Sequence, residues 1–275
     1  MITDDAIAAV QAHRSTVRPV WVKTRDAASF MIVPCRCPAC RLPTAPLPGG
    51  IVTIVIKEAQ RRLEEARARA DELSTAIQGA RGFGDWDGLR AAHRDVLAAE
   101  REVARVAGDE YAVELDFVLP WSTGAPLPHL LANGHKVYVL FYLADLDPDW
   151  DGTWVRIADP AADEPEPLGV VQFQHVHAVK LGGPNDEAIE GHPLHGKGLC
   201  TYAAHQVVNS RWIAEAERVN SVHSQHRGGW HDRLNHYVFC FHDETFECLA
   251  EGFTTERYLG SPRAVLSELV GRLLA

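Results

Sequence analysis

Between Ile56 and Val106 the apolar positions recur with helical spacing. They fall at Ile56, Ala59, Leu63, Ala66, Ala70, Leu73 and Ile77, alternately three and four residues apart. That is a heptad seam, the apolar stripe of a helix paired in a coiled coil. The pattern breaks at QGARGFGDWDG and resumes at Leu89, Ala92, Val96, Ala99, Val103 and Val106. Two seams of matched length joined by a Gly-rich break predict an antiparallel helical hairpin, each arm about 20 residues and ~30 Å long. Alanine at many seam positions lets the arms approach closely. Ten basic and ten acidic residues lie between Lys57 and Val106, which suits solvated flanks with i,i+4 pairs.

From Asp109 the period changes. YAVELDFVL (111–119), HKVYVLFYLAD (135–145), TWVRIAD (153–159) and EPLGVVQFQHVHAVKL (166–181) are rich in Val, Tyr and Phe, with turn residues between them. They read as strands. HYVFCFHDETFECLAEGF (236–253) reads as a hairpin turning at Asp243–Thr245. Asn209 or Ser210 caps a predicted helix with Trp212, Ala216, Val219 and His223 on one face. Ser261 and Pro262 open a terminal helix with Val265, Leu266, Leu269, Val270, Leu273 and Leu274 as its apolar side. Upstream, residues 4–14 predict a short helix and 18–34 one or two strands, followed by a Pro/Gly-rich stretch with three Cys.

The fold class predicted is α+β: a mainly antiparallel β domain with a C-terminal helix, preceded by a Cys-rich segment and the helical hairpin. The divisions fall at 1–53, 54–108 and 109–275.

Composition narrows the function. A chain of 275 residues can bury a sizeable core, and its formal charge of −10 argues against non-specific nucleic-acid binding. Arg outnumbers Lys and Ala is plentiful, as in GC-rich bacterial coding sequences. The N-terminus has no apolar signal region, and no stretch approaches the ~20 apolar residues that span a bilayer. A cytoplasmic location is expected, so the six Cys read as thiols or metal ligands rather than disulfides.

Cys35, Cys37 and Cys40 form C-x-C-x-x-C. Such a turn can aim thiolates at one ion, and zinc is the metal this set would take. A fourth ligand would come from Cys200, Cys240, Cys248 or a His. The competing reading is a set of reduced, partly buried thiols.

Ten of the fourteen His lie between His175 and His242. Imidazole is both the commonest metal ligand and the natural proton carrier near neutral pH. His175 and His177 would share one face of a strand. His192 and His195 sit in GGPNDEAIEGHPLHGKGL (182–199), whose Gly, Pro and acid content predicts a loop. His223 and His226 would meet at a helix end, with His223 a further candidate metal ligand. Carboxylates join the His at two places: Asp186, Glu187 and Glu190 before His192, and Asp243, Glu244 and Glu247 after His242. If the loop and the hairpin tip converge, His192 and His242 would ligate a metal or carry protons. Asp186, Glu187 or Glu247 would then act as general base. Otherwise the same residues are simply good turn formers.

DLDPDWDG (145–152) opens like an EF-hand loop, but Ala158 stands where the bidentate Glu belongs. It reads as an acidic turn. GxGxxG, GxxxxGK[ST] and GxSxG are absent.

GGPNDEAIEGHPL (182–194), NSRWI (209–213), NSVH (220–223) and HYVFCFHDETFEC (236–248) together resemble an uncharacterised bacterial protein family, over roughly residues 117–253. That resemblance implies no activity. The expectation is therefore a metal- or small-ligand-binding β domain, open to enzymatic activity. The alternative is a non-catalytic assembly protein that uses the hairpin, with Phe83 and Trp86 at its tip. Expected partners are a small molecule or a protein, a second copy of this chain included, and neither nucleic acid nor membrane.

Overall fold

The computed structural model describes residues 49–80, 84–144, 161 and 163–275. Cys35, Cys37 and Cys40 lie outside these residues. So do Phe83, the acidic turn at 145–152, and the elements expected over 4–34 and 153–159.

The heptad seams pack as a hairpin of α1 (Gly49–Gly79) and α2 (Trp86–Ala107). Ala59, Ala70 and Ile77 of the first seam are buried, as are Leu89 and Ala92 of the second. Asp85 caps α2 through the Gly88 amide, and Gly108 ends it in a left-handed conformation. Toward that end the buried line drifts from the predicted seam to Glu100 and Ala104. The reason is that this half of α2 also packs on the β domain. Glu100 accepts from Arg67 of the other arm at 3.0 Å and from the Gly198 amide at 3.2 Å.

The β region forms two antiparallel sheets. The first has the order β1-β6-β7-β8-β5: β1 is Tyr111–Glu114, β5 Ala178–Gly182, β6 Ala204–Val208, β7 Asn235–Cys240 and β8 Thr245–Ala250. The second has the order β2-β3-β4-β9: β2 is His129–Ala132, β3 Lys136–Tyr142, β4 Glu166–Gln174 and β9 Gly252–Gly260. They face each other across an aromatic core of Trp121, Phe141, Phe173, Phe239, Phe246 and Phe253. Ring centroids of Phe173 lie 5.7 Å from Phe239 and 5.6 Å from Phe253. Gly169 is required here, because a Cβ would stand 2.7 Å from the Phe141 ring.

The other face of the second sheet is covered by α4 (Pro262–Leu274), whose Val265 and Leu269 pack on Tyr138, Leu140 and Val170. Both faces of β3 are thus buried, which explains its unbroken apolar run. Of the expected apolar side of α4, Val270 and Leu274 are exposed instead. The Ser261 cap forms as predicted.

The run 166–181 is not one strand. It bends at 175–177, leaving the second sheet as β4 and entering the first as β5. Its partner bends alongside, from β8 to β9 at Glu251. Gln174 pairs with Gly252 and Ala178 with Leu249, so the register slips by one residue at the corner. His175 takes φ 50° at the bend, with its Nδ1 3.4 Å from Glu251. His177 turns to Trp230, so the two His do not share a strand face.

Helix α3 (Arg211–Asn220) is capped by Ser210. Its covered side is Trp212, Ile213 and Ala216. Val219 is exposed, and the helix stops before His223, contrary to the predicted face. The fold is α+β with mainly antiparallel β structure, and no helix among the described residues is long and apolar enough to cross a membrane.

Candidate functional site

The outward face of the first sheet alternates against its core-facing side. One row across it reads Lys180, Glu247, Val238, His205 and Glu114, from β5 to β1. The next row carries His236 on β7. The segment 183–203 lies over this face, with Leu194 and Leu199 packed on Ala112, Val207, Val238 and Cys240. The Gly-rich stretch therefore forms a cover with a hydrophobic underside. Gly198 sits at φ 87° where a Cβ would meet the Ala112 carbonyl at 2.7 Å, so only glycine lets the chain pass this close.

The loop and the hairpin tip converge. The Asp186 amide donates to the His242 carbonyl at 2.9 Å, and Thr245 Oγ1 donates to the Pro184 carbonyl at 2.9 Å. Asn185 caps a short 3-10 helix, Asp186–Gly191, which holds Asp186 at one end and delivers His192 past the other. Two His–carboxylate groups result.

The first is Asp186, Tyr202 and His242. The Tyr202 hydroxyl donates a hydrogen bond to Asp186 Oδ2. His242 Nδ1 lies 2.9 Å from the Tyr202 oxygen and 3.0 Å from Asp186 Oδ2. Since the Tyr202 proton goes to Asp186, His242 donates from Nδ1; in the neutral ring Nε2 then carries the lone pair, with Asp243 Oδ1 4.0 Å away. The Tyr202 bond is the main reason the Asp186 carboxyl is held below its ordinary range, and the same bond pushes the phenol up to about 12. Tyr202 stays a donor, Asp186 stays an anion. The His242 side chain is 37% exposed, so Nε2 can meet a solute. Tyr202 is held at φ 58°, a conformation bulky residues rarely adopt.

The second is centred on Glu247, which is part-buried beside the buried His192 and His236. Glu247 Oε2 lies 2.9 Å from His236 Nε2, and Ser210 Oγ lies 2.9 Å from His236 Nδ1. Ser210 also accepts the Ile213 amide as the cap of α3, which ties this chain of bonds to the helix start. The other carboxylate oxygen, Oε1, lies 3.3 Å from Lys180 Nζ and 3.9 Å from His192 Nε2. Burial favours the neutral acid, but the bond to His236 and the nearby charges outweigh it and hold Glu247 below its ordinary range. Lys180 also stands 3.8 Å over the Trp212 ring.

Of the predicted acid–base residues, Asp186 and His242 join the first group, His192 and Glu247 the second. The Glu187 side chain is exposed outside both. His223 is exposed after α3, its Nδ1 accepting from the Gln225 amide, while His226 instead bonds Glu217 at 2.8 Å. Among the described residues no group of three or more His, Cys, Asp or Glu side chains is arranged to hold a metal ion. Sequence reasoning missed Tyr202, the contact of Ser210 with His236 and the role of His236. Only His236 left a signal, in its alternation with Val238 and Cys240.

Cys200 and His205 also lie together, with Sγ 3.4 Å from Nε2. They do not make an activated nucleophile. The same nitrogen accepts the Cys200 amide at 3.3 Å, and burial lowers the ring to about 4 while raising the thiol to about 12.

Comparison with protein-family models, with curated proteins and with solved structures gives no significant match.

Proposed function

We propose that this β domain binds a small molecule at the junction of the 182–199 loop and the β7–β8 hairpin, and that Asp186 and His242 do acid–base work on it. The observation that carries this reading is the His242 geometry. Its Nδ1 is fixed by Asp186 at 3.0 Å and Tyr202 at 2.9 Å, and its ring is part-exposed. An imidazole so oriented presents the Nε2 lone pair to a bound O–H or N–H. It takes that proton while the Asp186 anion stabilises the imidazolium that forms. Tyr202 positions both partners and does not itself give up its proton. Diethyl pyrocarbonate, which acylates an unprotonated imidazole nitrogen, tests the reading. His242 is expected to react faster than the more exposed His175, and Asp186→Asn to slow it severalfold. Equal rates at both His, unchanged in Asp186→Asn, would refute it.

A second reading keeps the hairpin as an assembly arm for a protein partner or a second copy of the chain. The observation favouring it is Trp86, 48% exposed at the start of α2. Zinc at Cys35, Cys37 and Cys40 would belong to either reading.

A further inference from the structure

Two buried imidazoles help to seat the cover, and each does so through its lone pair. His205 stands on β6, and its Nε2 accepts the Cys200 amide at 3.3 Å. His192 lies in the cover itself, and its Nδ1 accepts the Leu194 amide at 3.2 Å. Both residues are buried. The two amides belong to or adjoin Leu194 and Leu199, the side chains packed on the sheet beneath. A neutral imidazole has one lone pair, so each ring spends its own on the backbone of the cover. A second proton would sit on that nitrogen and face an N–H donor. The bond is then lost and a buried charge is left behind. The attachments of Lys197 to Asp109 and of the Gly198 amide to Glu100 involve no imidazole.

We infer that the cover is an acid-released lid: protonation of His205 and His192 unseats segment 183–203 from the first sheet while both sheets stay folded. The surroundings of the two rings set the direction. Around His205, Arg101 of α2 and His192 oppose a positive charge, Cys200 is a neutral thiol, and Glu114 stands opposite in the β1–β6 register. Around His192, Glu247 of β8 and Glu110 favour the proton, while His236 of β7 and Lys180 of β5 oppose it. Burial is the largest influence on both and lowers both rings, His205 from 6.5 to about 4. An open cover returns the rings to water, so the open form binds more protons between these values. The lid is therefore held fully above about pH 6.5 and is released as the pH falls below it. Asp186 and Tyr202 ride on the cover and His242 on the hairpin, so release parts the three. That this switches chemistry off rests on the proposed function; the release itself does not.

The test is amide hydrogen exchange on full-length protein from about pH 7.5 to about pH 5.5, each amide corrected for its intrinsic rate. Protection across 183–203 should fall about tenfold from His205 alone, while β3 and β4 keep theirs. His192→Asn combined with His205→Gln is the decisive variant. Each amide oxygen takes the place of the lone-pair nitrogen and accepts the same backbone N–H, but it does not titrate. Its cover should keep its protection over the whole range. Should that variant fail to fold, NMR of the 15N-labelled wild-type rings decides. His205 should be neutral at about pH 7.5 with its proton on Nδ1, His192 with its proton on Nε2, and both should gain a proton in step with the loss of cover protection. Rings that gain protons under a cover still protected overturn the inference. So does cover protection that stays level in the wild type, falls equally in the double variant, or falls together with that of β3 and β4.

Discussion

The Asp186–His242 and His192–Glu247 groups lie under one loop and use the same two side-chain types, yet they are wired in opposite senses. In the first, the carboxylate holds Nδ1 and leaves Nε2 as an acceptor near solvent. In the second, a backbone amide holds Nδ1, and Nε2 is a buried donor aimed at the carboxylate. In the proposed function the first takes a proton, whereas the second gives a hydrogen bond and keeps its proton. Residue type therefore says little about a His; the partner of its other nitrogen decides.

The contrast is sharpest in stability. Glu247→Ala leaves His236 Nε2–H and Lys180 without their carboxylate and should cost about 3 kcal/mol. His242→Ala, at a turn and part-exposed, should cost within about 1 kcal/mol. Urea unfolding of the two variants checks this, and equal losses would erase the distinction between a structural and a working group.

The pH dependence separates them next. The His205 ring, on the same face as Glu247, is lowered by burial from 6.5 to about 4, and His192 is lowered for the same reason. The unfolded chain therefore binds more protons between these values. Stability is full above about 6.5 and falls as pH drops toward about 4, by about 3 kcal/mol for His205 alone. Asp186, whose carboxyl is depressed, keeps its contribution until the pH falls below the ordinary carboxylate range. His205→Gln should flatten the upper limb of the curve. A flat wild-type curve from pH 7 to 4 would contradict the buried neutral rings.

Much of this was legible in the sequence, and the failures have physical causes. The helical hairpin, the Ser261 cap, a cap at Asn209 or Ser210 and the strand within 135–145 follow from period and cap chemistry, which are local. The convergence of the loop with the hairpin tip was conditional on tertiary structure. The sequence predicts the hairpin turn at Asp243–Thr245, whereas Phe241 and Glu244 close it through a bond of 2.9 Å. That small shift in register decides which residues oppose each other, and it sets Glu247 diagonal to His236. Tyr202 gave no signal because its reach depends on a left-handed backbone that no neighbouring residue announces. The bend at His175 was hidden inside what looks like one continuous strand.

A more local effect concerns the loop as a cover. Gly198→Ala forces a side chain into φ 87° and against Ala112 and Arg101. A cost of about 2 kcal/mol is expected. The loss should appear as faster amide hydrogen exchange across 183–203, with the core strands unchanged. Uniform loss over the whole domain would mean that the loop is not a separate layer.

The bent ribbon that runs from β4 into β5 and from β8 into β9 has a consequence for how the domain assembles. The two chain segments pair from Glu166 with Gly260 to Gly182 with Thr245, so each contributes a strand to both sheets. The β7–β8 hairpin closes over a few residues. The ribbon must bring together segments far apart in the chain, and until it does both sheets lack an inner or edge strand. Such long-range closure is slow, and it makes the two sheets gain and lose order as one cooperative unit rather than as separable halves.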